Sequence, residues 1–302
     1  MTNFLDLPRE LRDMVYMAVL TSELPRPSLN DSRLQPWNIH QIVAHTADAQ
    51  PGEIGNAYSL EDVPSTCCSL LQCSHQTYSE LSDAIARAKA RNQMPLKLDC
   101  LVEDERIIYV TWVSFPLVRT HIERSLWGHS KISTFFHQLQ VDVRLTGNRS
   151  RKWTGPGIFS RSPGRIAWGI CAALKRILDN GPNFSAHRKS STTLRIDELV
   201  LNVITPSVPP EKLLPEDFDP LDTEDGLVHP KTVARELNAV WNYIWAASYG
   251  VASTHRLLIE RIGSVRVCID GETWRTRELQ LELKRGQDER KRIALRGWYS
   301  DD

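Results

Sequence analysis

The sequence predicts an α+β protein: helices near the N-terminus, then a mixed β-sheet covered by amphipathic helices. Apolar residues recur every three to four positions through residues 7–18 and again through 67–88, the period of a helix with one apolar face. Between residues 96 and 269 the period drops to two in several short runs, and helical stripes lie between the later ones. Strands alternating with amphipathic helices imply crossover connections and parallel neighbours, here beside antiparallel hairpins. At 302 residues the chain has room for one large domain or two of ordinary size. The predicted division is a helical region over 1–94, with a long irregular insertion at 21–62, and a sheet region over 95–302 that is either separate from those helices or continuous with them.

The first helix is marked by Leu7, Leu11, Met14, Val15 and Ala18, all on one side. Pro8 suits the first helical position, where its missing N–H costs nothing, and Glu10 meets the positive end of the helix dipole. Pro25, Pro27, Pro36, Pro51, Gly52 and Gly55 then punctuate a stretch without a sustained period. Residues 21–62 are therefore expected to be mostly irregular, with short ordered patches around Trp37 and Ile42. A helix or helix pair over 64–92 follows, with Cys67, Leu71, Ser74, Tyr78, Leu81, Ile85 and Ala88 as its stripe, widened by Leu70. Arg87, Lys89 and Arg91 complement the negative pole at its far end.

Beyond Pro95, Leu96, Leu98, Cys100 and Val102 alternate, and a second apolar run spans 107–113; the polar residues between them predict a hairpin. Leu139, Val141, Val143 and Leu145 mark a half-buried strand that stops at Gly147-Asn148. Ser162 and Pro163 read as cap and first residue of a helix whose stripe is Ile166, Ile170, Leu174 and Ile177, ended by Gly181-Pro182. A strand over 194–204 leads to a helix over 229–248, with Val233, Leu237, Val240, Trp241, Ile244 and Trp245 as its broad apolar face. A short helix near 254–262 precedes a strand over 265–269, which residues 278–283 are expected to join as a hairpin.

Composition narrows the function classes. Lysine plus arginine equals aspartate plus glutamate at 37 each, so the whole chain lacks the basic balance that nucleic acid selects. No apolar run approaches the ~20 residues of a membrane span. Asp6, Arg9, Glu10, Arg12 and Asp13 break up any signal-peptide core, and a soluble cytoplasmic or nuclear protein is expected, with its six cysteines reduced. Cys68, Cys73 and His75 lie close together, but zinc sites usually need a second ligand pair, and no metal or cofactor is expected.

No serine elbow, phosphate loop, dinucleotide glycine motif or His-Glu-x-x-His occurs, and scattered histidines such as His121, His137 and His187 name no catalytic residue. Arg144, Arg149, Arg151, Lys152, Arg161 and Arg165, interleaved with Trp153 and Phe159, form a local basic stretch, read here as solvating charge. Glu216, Asp217, Asp219, Asp222, Glu224 and Asp225 read as an acidic loop without calcium-loop spacing, and Lys284, Arg285 and 290–292 as a mixed-charge end.

Two segments carry a resemblance. Leu7, Pro8, Glu10, Leu11, Arg12, Val15 and Tyr16 spell Leu-Pro-x-Glu-Leu-Arg followed by an aliphatic-Tyr pair. Leu70, Leu71, Cys73, Gln76, Tyr78 and Glu80 answer it, with Cys73 one residue nearer Leu71 than the usual spelling and with Ser74 and His75 replacing parts of it. Across residues 4–20 and about 68–82 the chain resembles a group of fungal F-box-like proteins. The resemblance implies a helical module that grips the adaptor subunit of a cullin-type ubiquitin ligase, while the remaining domain holds a protein substrate. The gripping face it implies is Leu7, Pro8, Leu11, Val15, Leu70 and Leu71, an apolar surface suited to the dry centre of an interface. The alternatives are a structural or scaffold protein whose N-terminal helices cap its own core, and, more distantly, an enzyme with an unrecognised site.

Overall fold

The computed structural model describes residues 4–34, 39–41, 52–59, 67–91, 93, 96–115, 121–124, 130–147, 164–182, 184, 192–216, 226–246 and 251–285. Helices α1 (Arg9–Leu20) and α2 (Leu29–Leu34) open the chain, followed by strands β1 (Ile39–Gln41) and β2 (Asn56–Ser59). Helices α3 (Cys68–Leu71) and α4 (His75–Ala90) precede β3 (Leu96–Glu103), β4 (Ile107–Ser114), β5 (His121–Arg124) and β6 (Ser130–Thr146). Then come α5 (Arg165–Asn180), β7 (Thr192–Ile204), α6 (Pro230–Ala246), α7 (Val251–Arg261), β8 (Ile262–Ile269) and β9 (Glu272–Glu278). The strands form one mixed sheet in the order β1-β2-β4-β3-β6-β7-β8-β9, with β5 paired to β6. An α+β architecture with a helix-covered mixed sheet is what the periodicities predict.

The middle of the sheet is parallel because helices make the return crossings. β6 reaches β7 through α5, and β7 reaches β8 through α6 and α7; both strand pairs are parallel. β3 and β4 are an antiparallel hairpin, as the alternation implies, turned by Asp104 and Glu105 at positive φ. One face of the sheet carries Leu98, Cys100, Val141, Val143, Leu199, Leu201, Val265 and Val267 into the main core. Ile170, Leu174 and Ile177 of α5 and Leu237, Val240 and Trp241 of α6 belong to the same core. Burial of these branched and aromatic groups, at roughly 1.5–3 kcal/mol each, is the main term holding the sheet together.

Several boundaries differ from expectation for identifiable reasons. Pro8 is the N-cap of α1 and not its first residue, with ψ at 146°. Ser162 and Pro163 lie outside the described residues; the α5 cap is Gly164, against which the Glu236 carboxylate lies so closely that an added Cβ would stand 2.0 Å from its Oε2. That acid faces the positive end of the α5 dipole. The hairpin partner of β8 is β9, and residues 279–285 are helical. Asp270 and Gly271, both at positive φ, make the tight turn that the Asp-Gly pair favours.

β6 is longer than expected and buried on both faces at its centre, where Asp142 is 2 % exposed. Trp245, placed on the apolar face by its spacing, is exposed; its Nε1 donates to the Glu282 carbonyl.

The insertion is not simply irregular. It supplies α2 and two strands, and β2 pairs in parallel with β4. Trp37 and Ile42 lie outside the described residues. Gly52, at φ +87°, seats the insertion on α5: a Cβ there would stand 2.4 Å from the Trp168 carbonyl oxygen. Because backbone, not a flexible side chain, blocks that space, Gly52→Ala is expected to cost at least about 1 kcal/mol in chemical denaturation.

The second face of the sheet is crossed by residues 22–28. The Leu24 N–H donates to the Val113 carbonyl of β4 at 2.8 Å, and Glu23 pairs with Lys97 of β3. Arg26 meets Asp142 of β6 at 2.5 Å, and the Pro27 carbonyl accepts from Arg144 Nη2 at 2.7 Å. Ser28 then caps α2 in a reciprocal box with Asp31. Ala57, Leu101 and Tyr109, with Leu29 and Ile107 against them, form a small apolar cluster beside this crossing.

Candidate functional site: the N-terminal helix pair

α1 packs on α4 through a cluster distinct from the main core: Tyr16, Leu20, Cys67, Leu81, Ala84 and Ala88 are its buried members. Polar residues complete the contact. The buried Glu80 carboxylate receives Arg12 Nη2 at 2.6 Å and Arg12 Nε at 2.8 Å, a two-pronged charge-assisted pair. Tyr16 Oη donates to Glu80 Oε2 at 3.0 Å and Gln76 Nε2 to Oε1 at 3.0 Å, while Arg9 Nη1 approaches Oε1 at 3.1 Å. Arg12 also donates to the carbonyls of Leu5 and Leu7, which ties the segment before α1 to the same knot. At the rim, Asp13 bridges Arg9 and Arg87, each at 3.1 Å.

The electrostatics follow from this geometry. The Arg12 hydrogen bonds, helped by those of Gln76 and Tyr16, hold the Glu80 carboxyl down at about 2 against the opposing effect of burial. Burial first, and then its bond to Glu80, raises the Tyr16 phenol. Every oxygen of Glu80 is engaged, so this carboxylate organises the helices and is not available as a base.

Because Arg12, Tyr16 and Leu20 face inward, the apolar stripe read from the sequence faces outward. Leu11 is 46 %, Met14 68 % and Val15 41 % exposed, and Ala18 is exposed with them. On an α-helix Met14 and Ala18 lie nearly opposite Tyr16, while Leu11 and Val15 stand between that outer side and the packed one. Leu7 is half-buried and Pro8 exposed at the head of the stripe. Leu70 and Leu71 are half-buried and pack against the inner cluster, so they do not share the outer face of Leu11 and Val15 in the same degree. α3 and α4 are the helix pair expected over 64–92, but Tyr78 projects away from the packed side and is 55 % exposed.

The other sequence candidates take structural places or lie outside the described residues. Arg144 forks onto Asp99, with both bonds at 2.7 Å, and Arg165 donates to the Ile54 carbonyl at 2.8 Å; Arg149, Arg151, Lys152, Trp153, Phe159 and Arg161 are outside. Glu216 pairs with Lys231 at 3.2 Å, and 217–225 are outside. Lys284 and Arg285 close the helical turn at 279–285, and 286–302 are outside. The exposed His137 lies 3.3 Å from Asp197, while His187 is outside. Cys73 is exposed and Cys67 buried. Among the described residues no group of His, Cys, Asp or Glu is arranged to hold a metal ion, and no helix is long and apolar enough to cross a membrane.

The Arg12–Glu80–Tyr16 knot was the part of this site that hydropathy could not reveal. Its signal lay in the polar letters of the two motif segments, the first contributing Arg12 and Tyr16 and the second Glu80. No family model, curated protein or solved structure matches the chain, so the likeness to the F-box-like group rests on residues 4–20 and 68–82 alone.

Proposed function

We propose that this protein is a non-catalytic, F-box-like substrate receptor, whose helix α1 docks on the adaptor subunit of a cullin-type ubiquitin ligase and whose sheet region holds a protein substrate. The observation that supports it is the outward apolar face of α1: Leu11, Met14 and Val15 are exposed while Arg12 and Tyr16 occupy the packed side. The inward side of α1 already carries Tyr16 and Leu20 around the Arg12–Glu80 pair, and a further run of leucine, methionine and valine is left in solvent.

The test is a titration of the purified adaptor subunit with the wild-type chain and with a Leu11→Asp, Val15→Asp variant whose circular dichroism and melting curve match wild type. Both positions are exposed, so the variant is expected to fold. Placing two charges at the centre of a dry contact should weaken binding at least roughly a hundredfold. A well-folded wild-type chain that does not bind would sink the proposal.

A second reading keeps one observation on its side. Leu70 and Leu71 pack inward on the helix pair, as they would in a permanent structural element. It predicts no adaptor binding and an unaltered interaction profile for the double variant.

A further inference from the structure

The crossing segment 22–28 leads from the helix pair, which has its own apolar cluster, onto the face of the sheet opposite the main core, and Leu29 just after it packs on the small cluster there. Its sequence, Ser-Glu-Leu-Pro-Arg-Pro-Ser, suits a strap. Pro25 and Pro27 fix their own φ, and each proline pushes the residue before it toward extended backbone. The guanidinium of Arg26 therefore leaves a stiff support. It lands on Asp142, which is 2 % exposed and stands in direct register with the fully buried Asp99 of the neighbouring strand. Asp99 is held by Arg144, so Arg26 is the cation that reaches the second carboxylate of this side-by-side pair. Arg144 in turn reaches back to the strap at the Pro27 carbonyl, and Gln140 and Asn202 hold the other oxygen of Asp142 at 2.8 and 2.9 Å.

Most of this anchorage is polar. Leu24 is exposed, and among the described residues the polar contacts of the strap with the sheet are one backbone bond at Leu24, the Glu23–Lys97 pair, the Arg26–Asp142 pair and the Arg144–Pro27 bond. Polar contacts that half-exposed groups make can open without exposing an apolar core, which sets their opening free energy below that of the helix-pair cluster or of the main core. We propose that residues 22–28 are a latch, closed in this structure, whose Arg26–Asp142 contact fixes the direction of the N-terminal helix pair relative to the sheet and whose release frees that pair while both clusters stay folded. The latch does not depend on what α1 binds; if α1 docks a partner, the latch sets where the sheet points.

Hydrogen exchange on the full chain tests this. In the wild type the Leu24 amide, bonded to Val113, should exchange through an opening faster than that of amides in α4 or in the centre of β6. In Arg26→Ala that amide should exchange at least roughly tenfold faster, with α4 and β6 unchanged, and Arg26→Lys should recover part of the protection. Three results would overturn the latch: wild-type Leu24 exchanging only with global unfolding, Leu24 protection indifferent to Arg26→Ala, or Arg26→Ala lowering protection in the strap, α4 and β6 together. The wild-type measurement decides the matter even where a variant does not fold.

Discussion

Exchange of Glu80 for glutamine is expected to speed hydrogen exchange at the α1 amides by roughly a hundredfold while the amides of β6 and β7 keep wild-type rates. Glutamine has the same shape but no charge, and it turns one acceptor into a donor. Arg12 Nη2 and Gln76 Nε2 both donate to Oε1, while Arg12 Nε and Tyr16 Oη both donate to Oε2; one side or the other must then face an NH2 group. The effect stays local because the cluster between α1 and α4 is distinct from the main core.

The same carboxylate gives the helix pair a pH profile. Its folded value lies near 2, below its ordinary value of 4.5, so it stabilises the pair fully above about 4.5. That contribution declines as pH falls through this window and is gone below about 2. Local protection of α1 measured from pH 6 to pH 2 should fall in wild type, and the difference from Glu80→Gln should shrink over the same range. A difference that stays constant would mean Glu80 is protonated, or unpaired, already at neutral pH.

Arg144→Ala should be the most damaging single change among the polar residues of the sheet. Asp99 is fully buried and its fork from Arg144 is what compensates its charge, so removing the arginine leaves a buried carboxylate without its counter-ion. The expected cost is about 3–5 kcal/mol, read as a fall of roughly 5–10 °C in Tm. Asp99→Asn should cost less, since the partly exposed Arg144 can turn toward water.

The sign with pH is opposite to that of Glu80. Burial raises the Asp99 carboxyl above its ordinary 3.8 despite Arg144, so its protonation favours the folded state and that contribution fades as pH rises. The Arg144→Ala deficit should therefore be largest near neutral pH and shrink on acidification. If Asp99→Asn proves as costly as Arg144→Ala, the uncompensated charge is not the cause. Acid thus loosens the helix pair through Glu80 while Asp99 gives the sheet no reason to follow.

Periodicity made the main elements legible. The stripes of α5 and, Trp245 apart, of α6, and the alternation in β3 and β6, record faces that apolar side chains bury, and those faces are where the structure buries them. For α1 the stripe was also real, yet its side was not legible. Spacing tells which residues share a face but not whether protein or solvent lies against it, and Arg12 and Tyr16 took the packed side through Glu80.

β2 escaped because it is four residues long and joins the sheet by pairing with β4 about fifty residues away, a contact that leaves no local period. β9 escaped for the reverse reason. Its residues are charged or polar with one exposed tryptophan, and the readable signal was the Asp270-Gly271 turn before it rather than the strand itself. The cap of α5 was displaced to Gly164, where space for an acid from a distant helix, and not a local hydroxyl, decides the residue.

β9 has a further consequence at the margin of the molecule. It closes one end of the sheet order, and nearly all of its residues are exposed, so its outer rim is an edge on which another strand can pair. Two copies meeting rim to rim about a twofold axis at Arg275 would set Arg275 against Arg275 and Glu272 against Glu278. Sliding the axis to Thr276 would set Arg275 against Arg277. Like charges directly across a ladder repel, so these alignments are disfavoured before any ribbon can grow. The charges of β9 therefore act as a fence against these two pairings, and the alignment centred on Trp274, which opposes no like charges, is the one they leave open.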